Sequence, residues 1–165
     1  MSLSGDGLSV LEAADLRNVL GHFATGVVIV TGAAKTGPAG LTCQSFFSLS
    51  LDPPLVAVAP SRRSQSWPAI RPSGAFCINI LADTQGSLGR AFATSGGDKF
   101  AGVGWSPATT GSPRLHDVLA WIDCRLVSAH DGGDHHLIVG RIVDMGTSAG
   151  EPLVFYRGGF GTFKA

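Results

Sequence analysis

The sequence has little charge. Asp, Glu, Lys and Arg make up 15% of its 165 residues, whereas 44% are hydrophobic. Because 12 basic residues balance 12 acidic ones, the whole molecule lacks the positive field that attracts nucleic acids and anionic membranes. The high apolar fraction argues against a disordered chain, and part of that apolar surface is expected at a subunit interface. Small molecules are therefore the predicted partners, with no nucleic acid and no membrane.

Long apolar runs and paired cysteines are also absent. No stretch approaches the roughly 18 apolar residues of a membrane-spanning helix, and residues 1–7 have neither the basic start nor the apolar centre of a signal peptide. The odd set Cys43, Cys77 and Cys124 shows no metal-ligand spacing. These features predict reduced thiols, a cytoplasmic protein and no metal site. Residues 1–9 are predicted to be a disordered or vector-derived N-terminus, and 10–165 a single domain.

Several motifs that would identify an enzyme class are missing. The sequence contains no H-E-x-x-H, no G-x-S-x-G, no Walker phosphate loop and no G-x-G-x-x-G. Hydrolase and kinase functions therefore lose their main support. Without a dinucleotide fingerprint, any nicotinamide cofactor must be held in some way other than on a glycine-rich helix start.

The apolar pattern predicts mostly short strands. Leu16, Val19, Leu20 and Phe23 recur at helical spacing, which predicts an opening helix over residues 10–23. A second helix is predicted over 81–93. Runs rich in β-branched residues predict strands at 27–31, 55–59, 76–81, 120–127, 137–143 and 153–156.

Turn signals separate these strands and predict antiparallel pairing. The segment K-T-G-P-A-G predicts a turn at 35–40, L-D-P-P-L a strand break at 51–55, and H-D-G-G-D-H-H a hairpin at 130–136. No regular alternation of strand and helix indicates a parallel sheet. The predicted architecture is a closed, mainly β barrel with a few helices.

Polar side chains interrupt the apolar, strand-like stretch at residues 40–50. Burying such groups without hydrogen bonds costs roughly 1–3 kcal/mol each, so either the fold's own backbone or a polar ligand must satisfy them. The polar residues are Thr42, Gln44, Ser45, Ser48 and Ser50.

The segment S-R-R-S-Q-S at 61–66 lies between a predicted strand and a helix. Backbone N–H groups at a helix start, short hydroxyls and a guanidinium all complement a phosphate. A capped, solvated turn is the alternative interpretation. Residues 62–99 carry five basic side chains against two acidic ones, which suits an anionic cofactor but also occurs on solvated surfaces.

Two further segments have both a functional and a structural interpretation. His135 enters a strand from the hairpin turn, where its imidazole could bind a flavin or nicotinamide, or simply lie at the surface. The segment G-G-F-G-T-F at 158–163 could bring backbone and aromatic rings to a planar ligand, or form a tight turn near the C-terminus.

Taken together and in order, these segments resemble the short-chain flavin reductase family, the reductase components of two-component flavin-dependent monooxygenases. The resemblance runs from about Leu16 to Phe163. It comprises F-A-T-G-V-V-I-V-T at 23–31, G-L-T-C-Q-S-F-F-S-L-S-L-D-P-P-L-V-A-V at 40–58, S-R-R-S at 61–64, F-C-I-N-I-L-A-D-T-Q at 76–85, F-A at 92–93, D-K-F-A-G-V-G-W at 98–105, G-S-P-R-L at 111–115, G-D-H-H-L-I-V-G-R at 133–141 and P-L-V-F-Y-R-G-G-F-G-T-F at 152–163.

The resemblance implies a split β-barrel of the FMN-binding, Greek-key-like antiparallel type with flanking helices. It also implies a homodimer that carries the flavin at or near the subunit interface. His135 is placed beside the nicotinamide, in an orienting catalytic role. The residues that the resemblance places at the flavin are Thr25, Gly26, Thr42, Cys43, Gln44, Ser45, Phe46, Ser48, Ser61, Arg62, Arg63, Ser64, Lys99 and Phe100.

The implied function is transfer of hydride from NADH or NADPH to FMN or FAD, with reduced flavin supplied to a separate oxygenase. Such a transfer depends on positioning rather than on an ionisable side chain. Two alternatives are a tightly bound flavin that reduces another acceptor, and a non-catalytic flavin- or haem-binding protein on the same fold.

Overall fold

The computed structural model describes residues 11–164, so the prediction for residues 1–9 lies outside the described part of the chain. Within it, no helix is long and apolar enough to cross a membrane. The helices are α1 (Ala13–Leu20), α2 (Ser66–Ile70) and α3 (Gly86–Ala93), with short 3-10 turns at Arg71–Ser73 and Asp83–Gln85.

Strands dominate the fold, as predicted. They are β1 (Thr25–Gly26), β2 (Val28–Ala34), β3 (Gly37–Cys43), β4 (Phe46–Leu51), β5 (Pro54–Val58), β6 (Ala75–Ile80), β7 (Trp105–Pro107), β8 (Pro113–Leu115), β9 (Ala120–Gly132), β10 (His135–Thr147), β11 (Leu153–Tyr156) and β12 (Gly159–Thr162). All six predicted strands are present, and β9 and β10 extend well beyond their predicted ends.

The main sheet has seven antiparallel strands in the order β3-β2-β6-β9-β10-β5-β4. Side chains from both ends of this order, such as Leu41 of β3 and Val58 of β5, pack in one hydrophobic core, so the sheet wraps around that core. The described residues show no pairing between the edge strands β3 and β4. The expectation of a closed barrel is therefore wrong, and the barrel is split at this seam, as the family resemblance implies.

A second hydrophobic core lies on the other side of β2. Val28 and Val30 point into the barrel, whereas Val27 and Ile29 pack with Phe92 outside it. Because both faces of β2 are buried, its sequence is a continuous apolar run rather than an alternating one. Each such side chain contributes about 1.5–3 kcal/mol through burial. The three-stranded sheet β1-β11-β12 and the pair β7-β8 flank the barrel.

Most turn predictions are confirmed, with two shifts in boundaries. The hairpin between β9 and β10 turns at residues 133–134, and β4 ends before the turn at 52–53. In K-T-G-P-A-G, only Lys35 and Thr36 form the turn, because the next four residues pair with β2. The helix predicted over 81–93 begins only at Asp83, as a 3-10 turn that leads into α3.

The expected cost of crowding the barrel gives a test of this packing. A Cβ atom on Gly140 of β10 would lie 2.5 Å from the Phe76 ring and 3.0 Å from Cys124 Cβ. We expect Gly140→Ala to lower the free energy of unfolding by about 1–3 kcal/mol. Gly161→Ala is the matched control, because nothing lies within 4 Å of its added Cβ. Urea unfolding curves would contradict this packing if the two variants were equally stable.

Candidate functional site

A cleft of about 780 Å³ lies beside the seam of the barrel. Strand β3 and its continuation to Ser45 form one wall, and the segment from Ala59 to Ser66 with His135 forms the opposite wall. The loop that follows α3 lines a further part of it. The predicted site residues that line the cleft are Thr42, Cys43, Gln44, Ser45, Ser61, Arg63, Ser64, Lys99, Phe100 and His135.

The β3 wall combines an apolar strand with main-chain polar groups. Leu41 and Cys43 are buried, and the Thr42 Oγ1 donates a hydrogen bond to the Gly89 carbonyl of α3 at 2.7 Å. Because β3 pairs only with β2 among the described strands, its other edge has main-chain groups without a strand partner. These groups are available to a planar polar ligand.

At the end of this wall, Ser45 closes the seam locally. Its hydroxyl contacts both the main-chain carbonyl and the N–H of Ala59 at 3.0 Å, and its own carbonyl accepts a hydrogen bond from Ala59 N at 3.2 Å. Gln44 is exposed beside it. The polar residues of 40–45 are thus divided: Thr42 and Ser45 bind the protein's own backbone, and Gln44 faces solvent.

Burial also determines the protonation state of the Cys43 thiol. Cys43 is only 7% exposed, and desolvation raises the pKa of its thiol to about 12. The group is therefore a neutral thiol at physiological pH, not the thiolate that nucleophilic or redox chemistry requires. The Cys43 side chain belongs to the barrel core behind this wall.

The opposite wall contains the predicted strand-to-helix junction, which is confirmed. The hydrogen bonds made there differ from those expected at a phosphate site. The Ser64 Oγ accepts hydrogen bonds from the main-chain N–H groups of Ser66 and Trp67, both at 3.2 Å. It therefore caps the start of α2, which is the alternative interpretation of this segment. Those two N–H groups are already satisfied, so the helix start does not offer them to a phosphate.

The two arginines of this segment behave differently. Arg62 does not line the cleft, because its guanidinium donates hydrogen bonds to the Gly133 carbonyl at 2.7 Å and to the Asp131 carboxylate at 2.5 Å. This hydrogen bond from Arg62 lowers the pKa of Asp131. Arg63 lines the cleft, and its guanidinium has no hydrogen-bond or ion-pair partner within the residues that the structure describes.

His135 lies at the start of β10, bridged to Ser61 across the cleft wall. Its Nδ1 is 2.7 Å from an Asp134 carboxylate oxygen. Because a carboxylate only accepts hydrogen bonds, Nδ1 carries the proton, and this hydrogen bond lowers the pKa of Asp134. Nε2 is the ring nitrogen that remains for a ligand.

Lys99 and Phe100 complete the part of the cleft formed by the loop after α3. The Lys99 Nζ donates hydrogen bonds to the Phe92 carbonyl at 3.0 Å and the Gly40 carbonyl at 3.3 Å, and desolvation lowers the pKa of its ammonium. The rings of Phe100 and Phe92 meet edge to face, with centroids 5.1 Å apart. The lysine therefore ties this loop to β3.

Five predicted site residues lie outside the cleft of a single chain. Thr25 and Gly26 form β1 and pair with β11 in the flanking sheet, and the Thr25 hydroxyl is buried without a hydrogen-bond partner among residues 11–164. Phe46 packs against the barrel core. Ser48 is exposed on β4, opposite Val56. The fifth residue is Arg62.

Other cleft residues were not predicted. The loop at 95–98, which contains Gly96 and Gly97 in the left-handed region (φ +81° and +74°), lines the cleft next to Lys99. The glycine pair directly before D-K-F was the available signal. The segment 158–163 lies elsewhere, because Phe160 packs on Gly89 and under the Arg90 guanidinium.

Comparison with known proteins gives consistent matches. Residues 20–164 match the flavin reductase like domain. The reductase subunit of a flavin-dependent monooxygenase from Rhodococcus jostii is 48% identical over 160 residues, covering 94% of this chain and 82% of that protein. An FMN reductase (NADH) from Agrobacterium fabrum is 42% identical over 148 residues, covering 90% and 84%. The crystal structure of a nitrilotriacetate monooxygenase component B homologue from Mycobacterium thermoresistibile has a TM-score of 0.88 at 44% identity, covering 92% and 86%.

The buried thiol predicts a specific dependence of stability on pH. In the unfolded chain a cysteine ionises with a pKa of about 8.5, whereas Cys43 in the folded protein stays protonated up to about pH 12. Raising the pH above 8.5 therefore stabilises only the unfolded state. Between pH 7.5 and 9.5, we expect wild type to lose about 1 kcal/mol more free energy of unfolding than Cys43→Ala. The measurement is urea unfolding under reducing conditions. If wild type and Cys43→Ala lost the same free energy of unfolding over this pH range, Cys43 would not be a buried, neutral thiol.

Proposed function

The chain belongs to the flavin reductase-like family, and from that membership we propose that it transfers hydride from NADH or NADPH to FMN or FAD held in the cleft. The observation that carries this proposal is the seam between the edge strands β3 and β4, beside which the cleft lies. Around one cavity it brings together the β3 edge, the Arg63 guanidinium and the His135 imidazole, and within the described part of the chain neither that edge nor that guanidinium has a partner. The relatives named as reductase subunits or components support the same activity.

The cleft residues fit a flavin chemically. The open edge of β3 offers main-chain donors and acceptors to the polar rim of an isoalloxazine ring. At the other wall, Arg63 and the Ser61 hydroxyl suit a phosphate. Arg63 is the cation that we assign to this phosphate, because Lys99 already binds two carbonyls.

The protein's own task is to position two ligands. A bound flavin supplies the electron-accepting ring, so no side chain has to change its oxidation state. His135 presents Nε2 to the cleft while Asp134 holds Nδ1, and this arrangement orients a nicotinamide carboxamide rather than transferring an obligatory proton. Proximity and orientation supply the rate enhancement.

The flavin is a diffusible substrate in this proposal. Gln44, Ser45 and Arg63 are all exposed at the cleft, so a flavin can enter and leave without opening of the barrel. Reduced flavin then passes to a separate oxygenase, as the names of the monooxygenase reductase relatives suggest. The three buried, unpaired thiols support a cytoplasmic location.

We also propose a homodimer, because α1 has no buried residue. Its apolar face, made of Leu16, Val19 and Leu20, is exposed, and Phe23 just after the helix is 80% exposed. The edge strand β4 exposes a second apolar row that ends at Leu51, which is 90% exposed. Exposed apolar rows and unpaired strand edges of this kind are typically covered by another chain.

The reductase function is tested by NADH and NADPH oxidation in air, without flavin and with FMN, FAD or riboflavin. We expect turnover to rise with added free flavin. Flavin binding without nicotinamide oxidation would instead support a carrier, and turnover of another acceptor without added flavin would support a prosthetic group.

Arg63→Ala should raise the KM for the phosphorylated flavin about tenfold or more and leave the KM for riboflavin, which has no phosphate, unchanged.

Arg71→Ala is the matched control for this variant, since Arg71 is an exposed arginine outside the cleft. It should leave both KM values at the wild-type level. An equal loss with riboflavin and FMN in Arg63→Ala would show that Arg63 does not bind the phosphate.

The dimer is tested by sedimentation. We expect a mass of two chains for wild type, and Leu20→Asp should shift the equilibrium to monomers because it buries a charge in the interface. Asn18→Asp adds the same charge to the opposite face of α1 and should remain dimeric. A monomeric wild type at micromolar concentration would contradict the proposal.

A further inference from the structure

Arg62 is adjacent to two cleft residues in the sequence, but its side chain binds the β9–β10 hairpin. Its Nε donates to the Gly133 carbonyl at 2.7 Å and its Nη2 to Asp131 Oδ1 at 2.5 Å. Its main-chain N–H donates to the Asp134 carbonyl at 2.9 Å. One residue therefore contacts three of the four residues of the hairpin tip.

Apart from its strand pairing at Asp131 and Gly132, the hairpin tip bonds to the rest of the described chain through Arg62. Residues 131–134 are all exposed, and Gly133 adopts a φ of +76°, which glycine reaches without strain but also leaves easily. The Asp131 carboxylate oxygen that Arg62 binds also accepts the Gly133 N–H at 3.1 Å. Arg62 and Asp131 together hold the turn against the segment at 61–63.

His135 is the first residue after this tip. Its main chain pairs with Gly132 and bridges to Ser61, whereas its imidazole is held through Asp134. The imidazole is hydrogen-bonded to Asp134 at 2.7 Å. The Arg62 main chain binds the Asp134 carbonyl, and the Arg62 guanidinium binds Asp131 and Gly133 just before it. If the tip moves, the carboxylate that orients the imidazole moves with it. The direction of Nε2 in the cleft therefore depends on where the tip is held.

We propose that Arg62 is a positioning residue that acts through His135: its guanidinium holds the hairpin tip so that the imidazole faces the nicotinamide subsite of the cleft. This inference rests on the proposed reductase function. It replaces a role for Arg62 at the flavin phosphate, which belongs to Arg63.

Stability is not the main effect of this contact. The Arg62 and Asp131 side chains are 43% and 80% exposed, and exposed ion pairs contribute little to stability because water and salt screen them. Arg62→Ala should therefore fold with an unfolding midpoint close to wild type. A loss of rate in a folded variant can then be attributed to geometry.

The kinetic test is a double-mutant cycle of Arg62→Ala and His135→Ala, measured as kcat/KM for the preferred nicotinamide at saturating flavin. We expect Arg62→Ala to lower kcat/KM about three- to tenfold, in line with the loss of one or two hydrogen bonds. In the His135→Ala background, the same substitution should cost less than about twofold, because the two residues act as one unit.

Two further variants sharpen the cycle. Asp131→Asn keeps an acceptor oxygen for Arg62 and should retain most of the rate, whereas Asp131→Ala should behave like Arg62→Ala. Arg71→Ala is the matched arginine control and should not change kcat/KM. Additive losses in the cycle would overturn the proposal, and so would a raised KM for FMN but not riboflavin in Arg62→Ala.

Spectroscopy tests whether Arg62 positions His135 without any measurement of turnover. In an isotope-labelled protein, Arg62→Ala should shift the His135 ring resonances and speed amide exchange at Gly133 to His135, and Arg71→Ala should do neither. Unchanged spectra would overturn the inference even in an active enzyme. If wild type proved inactive, the reductase proposal would fail on its own, while these spectra would still show whether Arg62 positions His135.

Discussion

The architecture depends on one constraint, the missing pairing between β3 and β4. These strands are neighbours in sequence but lie at opposite ends of the seven-strand order, and only Gln44 and Ser45 separate them. The sheet therefore wraps around its core without closing, and β3 keeps an edge of unpaired main-chain groups. A closed barrel would satisfy those groups within the sheet and leave none for a ligand. Ser45 compensates locally by bonding Ala59 across the gap, which keeps the two walls at a fixed spacing.

Many polar residues around the cleft have structural rather than ligand-binding partners. Thr42 bonds α3, Ser64 caps α2 and Lys99 bonds two carbonyls. Each contact fixes one wall relative to the next, so the cleft is shaped before any ligand arrives. Such preorganisation suits a reaction that depends on the relative position of two planar ligands. The groups that remain for binding are few, and Arg63 and His135 Nε2 are the clearest of them.

Burial separates the electrostatic roles of these side chains. Cys43, in the barrel core next to the cleft, stays neutral because the interior disfavours its thiolate. The Arg62–Asp131 pair is solvated and contributes orientation more than stability.

The apolar faces of α1 and β4 are exposed. Their large hydrophobic side chains lie in solvent, and nothing among the described residues covers them. A second chain is the simplest cover for these faces.

The sequence by itself determined the mainly β class, the six principal strands, the hairpin before His135 and the strand-to-helix junction at 61–66, because these depend on local periodicity and turn chemistry. It also identified the sequence segments whose residues line the cleft. Only the tertiary structure decided which side chains of such a segment line the cleft. Arg62 and Arg63 are identical in type and adjacent in sequence, yet one binds the hairpin and the other lines the cleft. That choice depends on contacts between residues about 70 positions apart, which no local pattern encodes.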